Sequence, residues 1–244
     1  MHVEDEGIVL QISRLGEAQR ILTCLTRHNG VIKGVVSVKK NCIYDIGALV
    51  KLSHKARLES HLGFMSVEVI RHYGAILAFD RLKLVMLQSV MALLNAVMRE
   101  RDAHVELYDA LFRLLEIWVN AAQMESMARY ALFELFLMQH MGYGLDLSKC
   151  AVSSAFSNLK YVSPNSGRAV SEMVGQDYHQ KLFILPSFYL APHDTSAVVY
   201  EDLVNALKLN EFFLRNRLFE GNNMKVPMPR VGLHHVMNKS RADE

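Results

Sequence analysis

The stretch GIVLQISRLGEAQRILTCLTRHNGVIKGVV, residues 7–36, decides the fold. It opens three short runs rich in Val, Ile, Leu and Thr, predicted as strands over Gly7–Ile12, Ala18–Thr26 and Val31–Val38. His28-Asn29-Gly30 separates the second from the third, and Asn-Gly is a strong hairpin signal because both residues tolerate positive φ. Further strand-like runs follow at Ala48–Ser53, Ala56–His61 and Phe64–His72, with Leu62-Gly63 as a turn. About five strands at this spacing, with no helical period between them, predict a small closed OB-fold barrel over residues 1–79. A five-stranded SH3-like barrel leaves much the same trace. The long connection from Lys39 to Gly47 favours the OB arrangement.

At Asp80 the period changes. Asp80 can cap a helix running to about Arg99, with Leu84, Leu87, Met91, Leu94 and Met98 at helical spacing. A second helix, about Val105 to Ala121, places Leu107, Leu111, Leu114 and Trp118 on one face. The third, about Glu125 to Met141, is apolar nearly all round, which predicts a buried central helix stopped by Gly142. Residues 145–192 read as a small inserted unit of short strands and turns. A last helix, about Ser196 to Phe219, presents Leu203, Leu207, Phe213 and Leu214 to the earlier helices, so that 80–144 and 193–244 form one helical domain. The fold class is therefore α+β. The tail after Gly221 is expected to be partly ordered at best.

Composition narrows the setting. Apolar residues make up 51% of the 244, enough for a substantial core. Cys24, Cys42 and Cys150 are irregularly spaced, which predicts a reducing cytoplasm rather than a disulfide framework. The opening MHVEDEGIVL lacks the basic and apolar blocks of a secretory signal, and Glu4, Asp5 and Glu6 read as solubilising groups at a mobile end. The greasiest stretch, Leu82 to Met98, is interrupted by Lys83, Gln88 and Asn95 and falls short of a membrane span. A soluble protein is expected.

A formal net charge of +2 says little, so any functional charge is local. Between Arg14 and Arg57 stand nine cations: Arg14, Arg20, Arg27, Lys33, Lys39, Lys40, Lys51, Lys55 and Arg57. Only Glu17 and Asp45 oppose them, leaving +7 in 44 residues. Ordinary surfaces intersperse both signs. A nearly one-signed patch instead predicts phosphate neutralisation and salt-dependent nucleic-acid binding, with Tyr44 as a stacking surface for an unpaired base.

No motif with a catalytic mechanism accompanies the patch. There is no P-loop, and Gly142-Tyr143-Gly144 follows a helix where a dinucleotide site follows a strand. The eleven histidines are scattered apart from His234-His235. Cys150 has no second cysteine at zinc spacing. His54 with Asp45 and Ser53 makes a triad in name only, since nothing in the sequence positions them.

The segment from Gly142 to Leu190 carries a resemblance. GYGLDLSKCAVS (142–153) is followed by LKYVSPNSGRAVS (159–171) and LFILPSFYL (182–190). This resembles the bacterial RecO family, in which a buried helix ends in a Gly-Tyr-Gly-Leu turn and a Cys-containing segment leads to a Val-Ser-Pro-x-x-Gly-Arg-Ala-Val-Ser hairpin. Residues 7–36, with Gly16-Glu17, resemble that family's barrel, and FFLRNRLFE (212–220) its last helix.

The resemblance implies an OB-fold, a helical domain and a small zinc-finger-like insertion. It implies binding of single- and double-stranded DNA, annealing of complementary strands, and contact with the C-terminal tail of single-strand-binding protein. With RecR, such proteins promote RecA loading on coated single strands, in a bacterial cytoplasm at the nucleoid. Some members hold zinc through four cysteines. Here only Cys150 fills such a position and Ser153 and Ser154 stand where a partner is expected, so a metal-free insertion packed around Leu159, Tyr161 and Val170 is expected, with no cofactor.

The DNA-binding set is then Arg14, Arg20, Arg27, Lys33, Lys39, Lys40, Lys51 and Arg57. Arg129, with Leu132 and Phe133, is the partner-binding candidate, in a segment where the family has Arg-Phe-Glu and this chain Arg-Tyr-Ala. Arg129 snorkelling from a core helix is the competing explanation. No enzymatic activity is expected. An RNA- or ribosome-associated OB module and a nuclease are the alternatives.

Overall fold

Alternation in the N-terminal third builds five strands that close on themselves. The computed structural model describes residues 2–38, 44–58, 62–195 and 198–233. Strands β1 (His2–Leu15), β2 (Gln19–Thr26), β3 (Gly30–Ser37), β4 (Leu49–Lys55) and β5 (Phe64–Arg71) form a closed barrel in the order β1-β2-β3-β5-β4. Long β1 pairs with β4 through His2–Ile8 and with β2 through Gly7–Leu15, bending at a bulge between Val9 and Gln11. Closure comes from β5, which inserts between β3 and β4 with Val35 parallel to Phe64. That order is the OB arrangement. Val9, Leu22, Cys24, Ile32, Val36, Val50, Leu52 and Met65 fill the interior.

The His28-Asn29-Gly30 signal becomes the β2–β3 turn. Gly30 takes φ +66, and a Cβ there would lie 2.4 Å from the Asp102 carbonyl oxygen, so glycine is required twice over. The run predicted at Ala56–His61 is not a strand where it is described: Ala56–Leu58 leave the sheet in a bend, and Glu59–His61 lie outside the described residues. The acidic opening is also corrected. Glu4, Asp5 and Glu6 are part of β1, and the side chain of Asp5 is almost wholly buried.

After β5 a short helix α1 (Tyr73–Leu77) leads to α2 (Arg81–Val97). The Asp80 carboxylate caps α2, accepting from the amides of Leu82 at 2.9 Å and Lys83 at 3.1 Å. Helix α3 (Val105–Asn120) buries Leu107, Leu111, Leu114 and Trp118, and α4 (Gln123–His140) is closed by the Tyr143 amide donating to the Met138 carbonyl. Beyond it β6 (Leu159–Val162), β7 (Ala169–Ser171) and β8 (Phe183–Ile184) form a three-stranded sheet in the order β7-β6-β8. Cys150, Tyr161 and Val170 form its core, with Leu159 and Leu182 against them.

The last helix is shorter than predicted. Helix α5 spans Tyr200–Phe213 and widens into a π-helical segment, Leu214–Phe219. It docks on α4 through a buried polar cluster. The Asn210 amide donates to Ala131 O at 2.9 Å and Glu134 at 3.1 Å, while the hydroxyls of Tyr130 and Tyr189 donate to Glu134 and Asn210. The chain forms two compact units, one running to Asn120 and taking in the residues from Pro227 on, the other Ala121–Val226. The barrel thus shares a unit with α2 and α3. In the tail, as far as it is described, Arg230 and Leu233 are fully buried. His234 and the residues after it lie outside the described residues.

Candidate nucleic-acid interface

Sheet register sorts the cations of the barrel. At one rim the end of β1, the start of β2 and the end of β3 come together: Arg14 stands opposite Arg20 and Gln19 opposite Ser37. Arg14 and Arg20 continue the inward registers of Ile12 and Leu22 to the point where the barrel ends. Like charges directly opposite each other destabilise a strand pair. Arg14 Nε donates to Gly16 O at 3.2 Å, and Arg20 Nη1 to Gln19 O at 2.8 Å. A guanidinium carries five donors, and among the described residues neither arginine has an ion-pair partner. Lys55, opposite His2 at the start of β1, and Arg57 are both exposed. Lys39 and Lys40 lie outside the described residues; Val38, just before them, donates to Ala18 O in the β1–β2 turn at 2.8 Å.

The helix side of the barrel is different. Arg27 pairs with Asp109 at 3.2 Å, Lys33 with Glu100 at 2.7 Å and Arg71 with Glu116 at 2.5 Å. These acids come from α3 and the segment before it. Lys51 is flanked as well: its cross-strand neighbours are Glu6 on β1 and Glu68 on β5, and Glu4 and Asp5 line the same groove.

Asp5 pins the β2–β3 turn. Its carboxylate accepts from the His28 amide at 2.9 Å and the Asn29 side-chain amide at 2.7 Å, with His28 Nδ1 at 3.1 Å. Burial pushes its pKa up, but these hydrogen bonds outweigh burial and hold it below the ordinary carboxylate value. The nominal triad comes apart. His54 is buried and donates from Nε2 to Leu62 O, Asp45 pairs with His72, and Ser53 bonds His2. Tyr44, expected as a stacking surface, is half-buried against the barrel core, with its hydroxyl donating to Ser37 O at 3.5 Å.

Residues 1–73 match the family model described as recombination protein O, N terminal, and residues 78–225 the one described as recombination protein O, C terminal. The chain belongs to the RecO family. It is 33% identical over 243 residues to the DNA repair protein RecO of Rickettsia felis, covering 98% of this chain and 100% of that one. The Rickettsia akari protein of the same name is 35% identical over 242 residues, with 98% and 100% covered. That of Rickettsia canadensis is 36% identical over 225 residues, with 91% of each covered. The role of this RecO-family chain is in DNA repair. Among the described residues no helix is long and apolar enough to cross a membrane.

The four-cysteine zinc site of some RecO proteins does not fit the donors in this insertion. Among the described residues no group of three or more His, Cys, Asp or Glu could hold a metal ion. Cys150 Sγ instead accepts from the Ser171 amide at 3.3 Å, and the backbone bonds Cys150 N to Ala155 O, Ser154 N to Cys150 O and Ala151 N to Ala169 O tie the knuckle shut.

In α4, Arg129 donates to Pro192 O at 3.2 Å and lies 3.9 Å from Glu125, while Leu132 is half-buried. Phe133 is only 5% exposed, so a peptide reaching Arg129 would meet Leu132 before it met Phe133. Counting charge along the chain overlooked the acids Glu100, Asp109 and Glu68, which only the folded register brings to the cations. It also passed over Phe64, although Phe64 shares its alternation with Ser66 and Glu68, a signal for an outward ring.

Proposed function

We propose that this RecO-family protein is a recombination mediator that grips DNA at the open rim of its barrel and works without chemical turnover. It binds single- and double-stranded DNA there, anneals complementary strands and, with RecR, promotes RecA loading on strands coated by single-strand-binding protein. The observation that carries the reading is the Arg14–Arg20 cross-strand pair. Two guanidiniums held side by side with no carboxylate partner among the described residues cost stability unless an anion meets them.

Annealing needs no active site. Two strands repel through their phosphates, and cations that neutralise this repulsion remove the main barrier to their meeting. Arg14 and Arg20 at the rim and the exposed Lys55 and Arg57 provide such cations, and Lys39 and Lys40 follow β3 in sequence. The tail of single-strand-binding protein is assigned to Arg129 and Leu132 in the other unit, which leaves the barrel free for the strand.

The test is DNA binding by fluorescence anisotropy across a salt series. Affinity should fall steeply with salt, and Arg14→Ala/Arg20→Ala should weaken both single strands and duplex. Salt-independent binding, or a double variant that anneals like the parent, would overturn the reading. A strong preference for single-stranded RNA over DNA of equal length would move the protein to an RNA-binding role.

A further inference from the structure

Phe64 opens β5 and is 68% exposed, while its neighbour Met65 points into the barrel core. A large apolar side chain left in water on a regular strand gives up most of the stabilisation that burial would supply. The two residues before it are held in place. The Val35 amide donates to Gly63 O at 3.0 Å, and His54 Nε2 donates to Leu62 O at 2.8 Å. Gly63 takes φ +65, where a Cβ would lie 2.6 Å from Lys55 O. The ring is therefore presented by a fixed turn, which lowers the ordering cost of any contact it makes.

One cation faces it directly and a second follows in sequence. Lys55 is its direct cross-strand partner and Arg57 follows two residues later; both are exposed, and neither has an ion-pair partner among the described residues. Phe79 makes the contrast: it is 97% exposed but lies beyond the far end of β5, past α1 and next to Asp80.

An exposed aromatic ring with a cation directly opposite it is complementary to an unpaired base and its neighbouring phosphates. We infer that Phe64 is a stacking platform for an unpaired base of single-stranded DNA, with Lys55 and Arg57 holding the flanking phosphates. This site rests on the DNA-binding reading above and adds to it a preference for unpaired strands, since a base inside a duplex has no free face.

The test compares a thymidine oligonucleotide with a duplex of equal length, by anisotropy at fixed salt. Phe64→Ala should weaken single-strand binding about tenfold and leave duplex binding and the salt slope unchanged. Phe64→Trp should restore single-strand affinity. Its emission should be quenched by the single strand and not by the duplex, against a background of one other tryptophan, the buried Trp118. Phe79→Ala should bind like the parent. Parental single-strand affinity in Phe64→Ala, an equal loss for duplex, or an unquenched Phe64→Trp would overturn the platform while leaving rim binding intact. A parent protein that binds no DNA in a salt-dependent way would overturn the underlying reading instead.

Discussion

The open rim and the helix side of the barrel carry the same residue types and differ in what faces them. Arg14 meets Arg20, whereas Arg27 and Lys33 meet Asp109 and Glu100. Surface ion pairs contribute little to stability, typically below about 1 kcal/mol, but they spend a cation's charge locally. A patch of +7 along the sequence is therefore not a patch of +7 in space. Part of it is cancelled by acids that the fold brings in, while Arg14 and Arg20 stand side by side with no ion-pair partner among the described residues.

The strongest way to break this comparison is to reverse the open rim. Arg14→Glu/Arg20→Glu should cut DNA affinity about a hundredfold or more at low salt, with far-UV circular dichroism unchanged. Annealing at the parental rate would show that the strand runs elsewhere.

Asp5→Ala attacks the fold on the side away from the rim. It removes the acceptor for the His28 amide and the Asn29 side chain, which should cost about 1–3 kcal/mol in urea unfolding at neutral pH. The sign with pH follows from the lowered folded pKa of Asp5. Its contribution is full above the unfolded carboxylate pKa and is lost as pH falls through the folded one, so parent and variant should converge in acid. Below its melting temperature the variant should still bind DNA. A stability gap that widens in acid would contradict this account of the turn.

Smaller effects sharpen the contrast. Glu100→Gln/Asp109→Asn releases Lys33 and Arg27 and should raise DNA affinity by roughly threefold to tenfold at low salt. An unchanged affinity would mean that the helix side lies out of reach of the strand. Lys51→Ala, already flanked by Glu6 and Glu68, should change binding by less than about twofold; a larger loss would place DNA across the acidic groove.

The barrel was legible in the sequence because its signals are local: alternation within each run, Asn29-Gly30 at the hairpin and Asp80 at the helix cap. Pairing across the sheet was not. Asp5 read as a mobile acid because its partners, His28 and Asn29, lie a strand away, and Lys51 read as part of a basic patch for the same reason. The single helix expected over Ser196–Phe219 begins at Tyr200 and changes its winding at Leu214, and hydrophobic spacing alone does not separate α from π geometry. Tyr44 and Phe64 differ in packing. The loop tyrosine found the core, and the strand phenylalanine was left outside.

The most direct test compares salt slopes. Each phosphate contact on a single strand contributes roughly 0.7 to the slope of log affinity against log salt. The account predicts that Arg14→Ala/Arg20→Ala flattens the slope by about 1.4, two contacts' worth, while Arg27→Ala/Lys33→Ala leaves it unchanged. A slope that flattens for the helix-side pair and stays constant for the rim pair would contradict it.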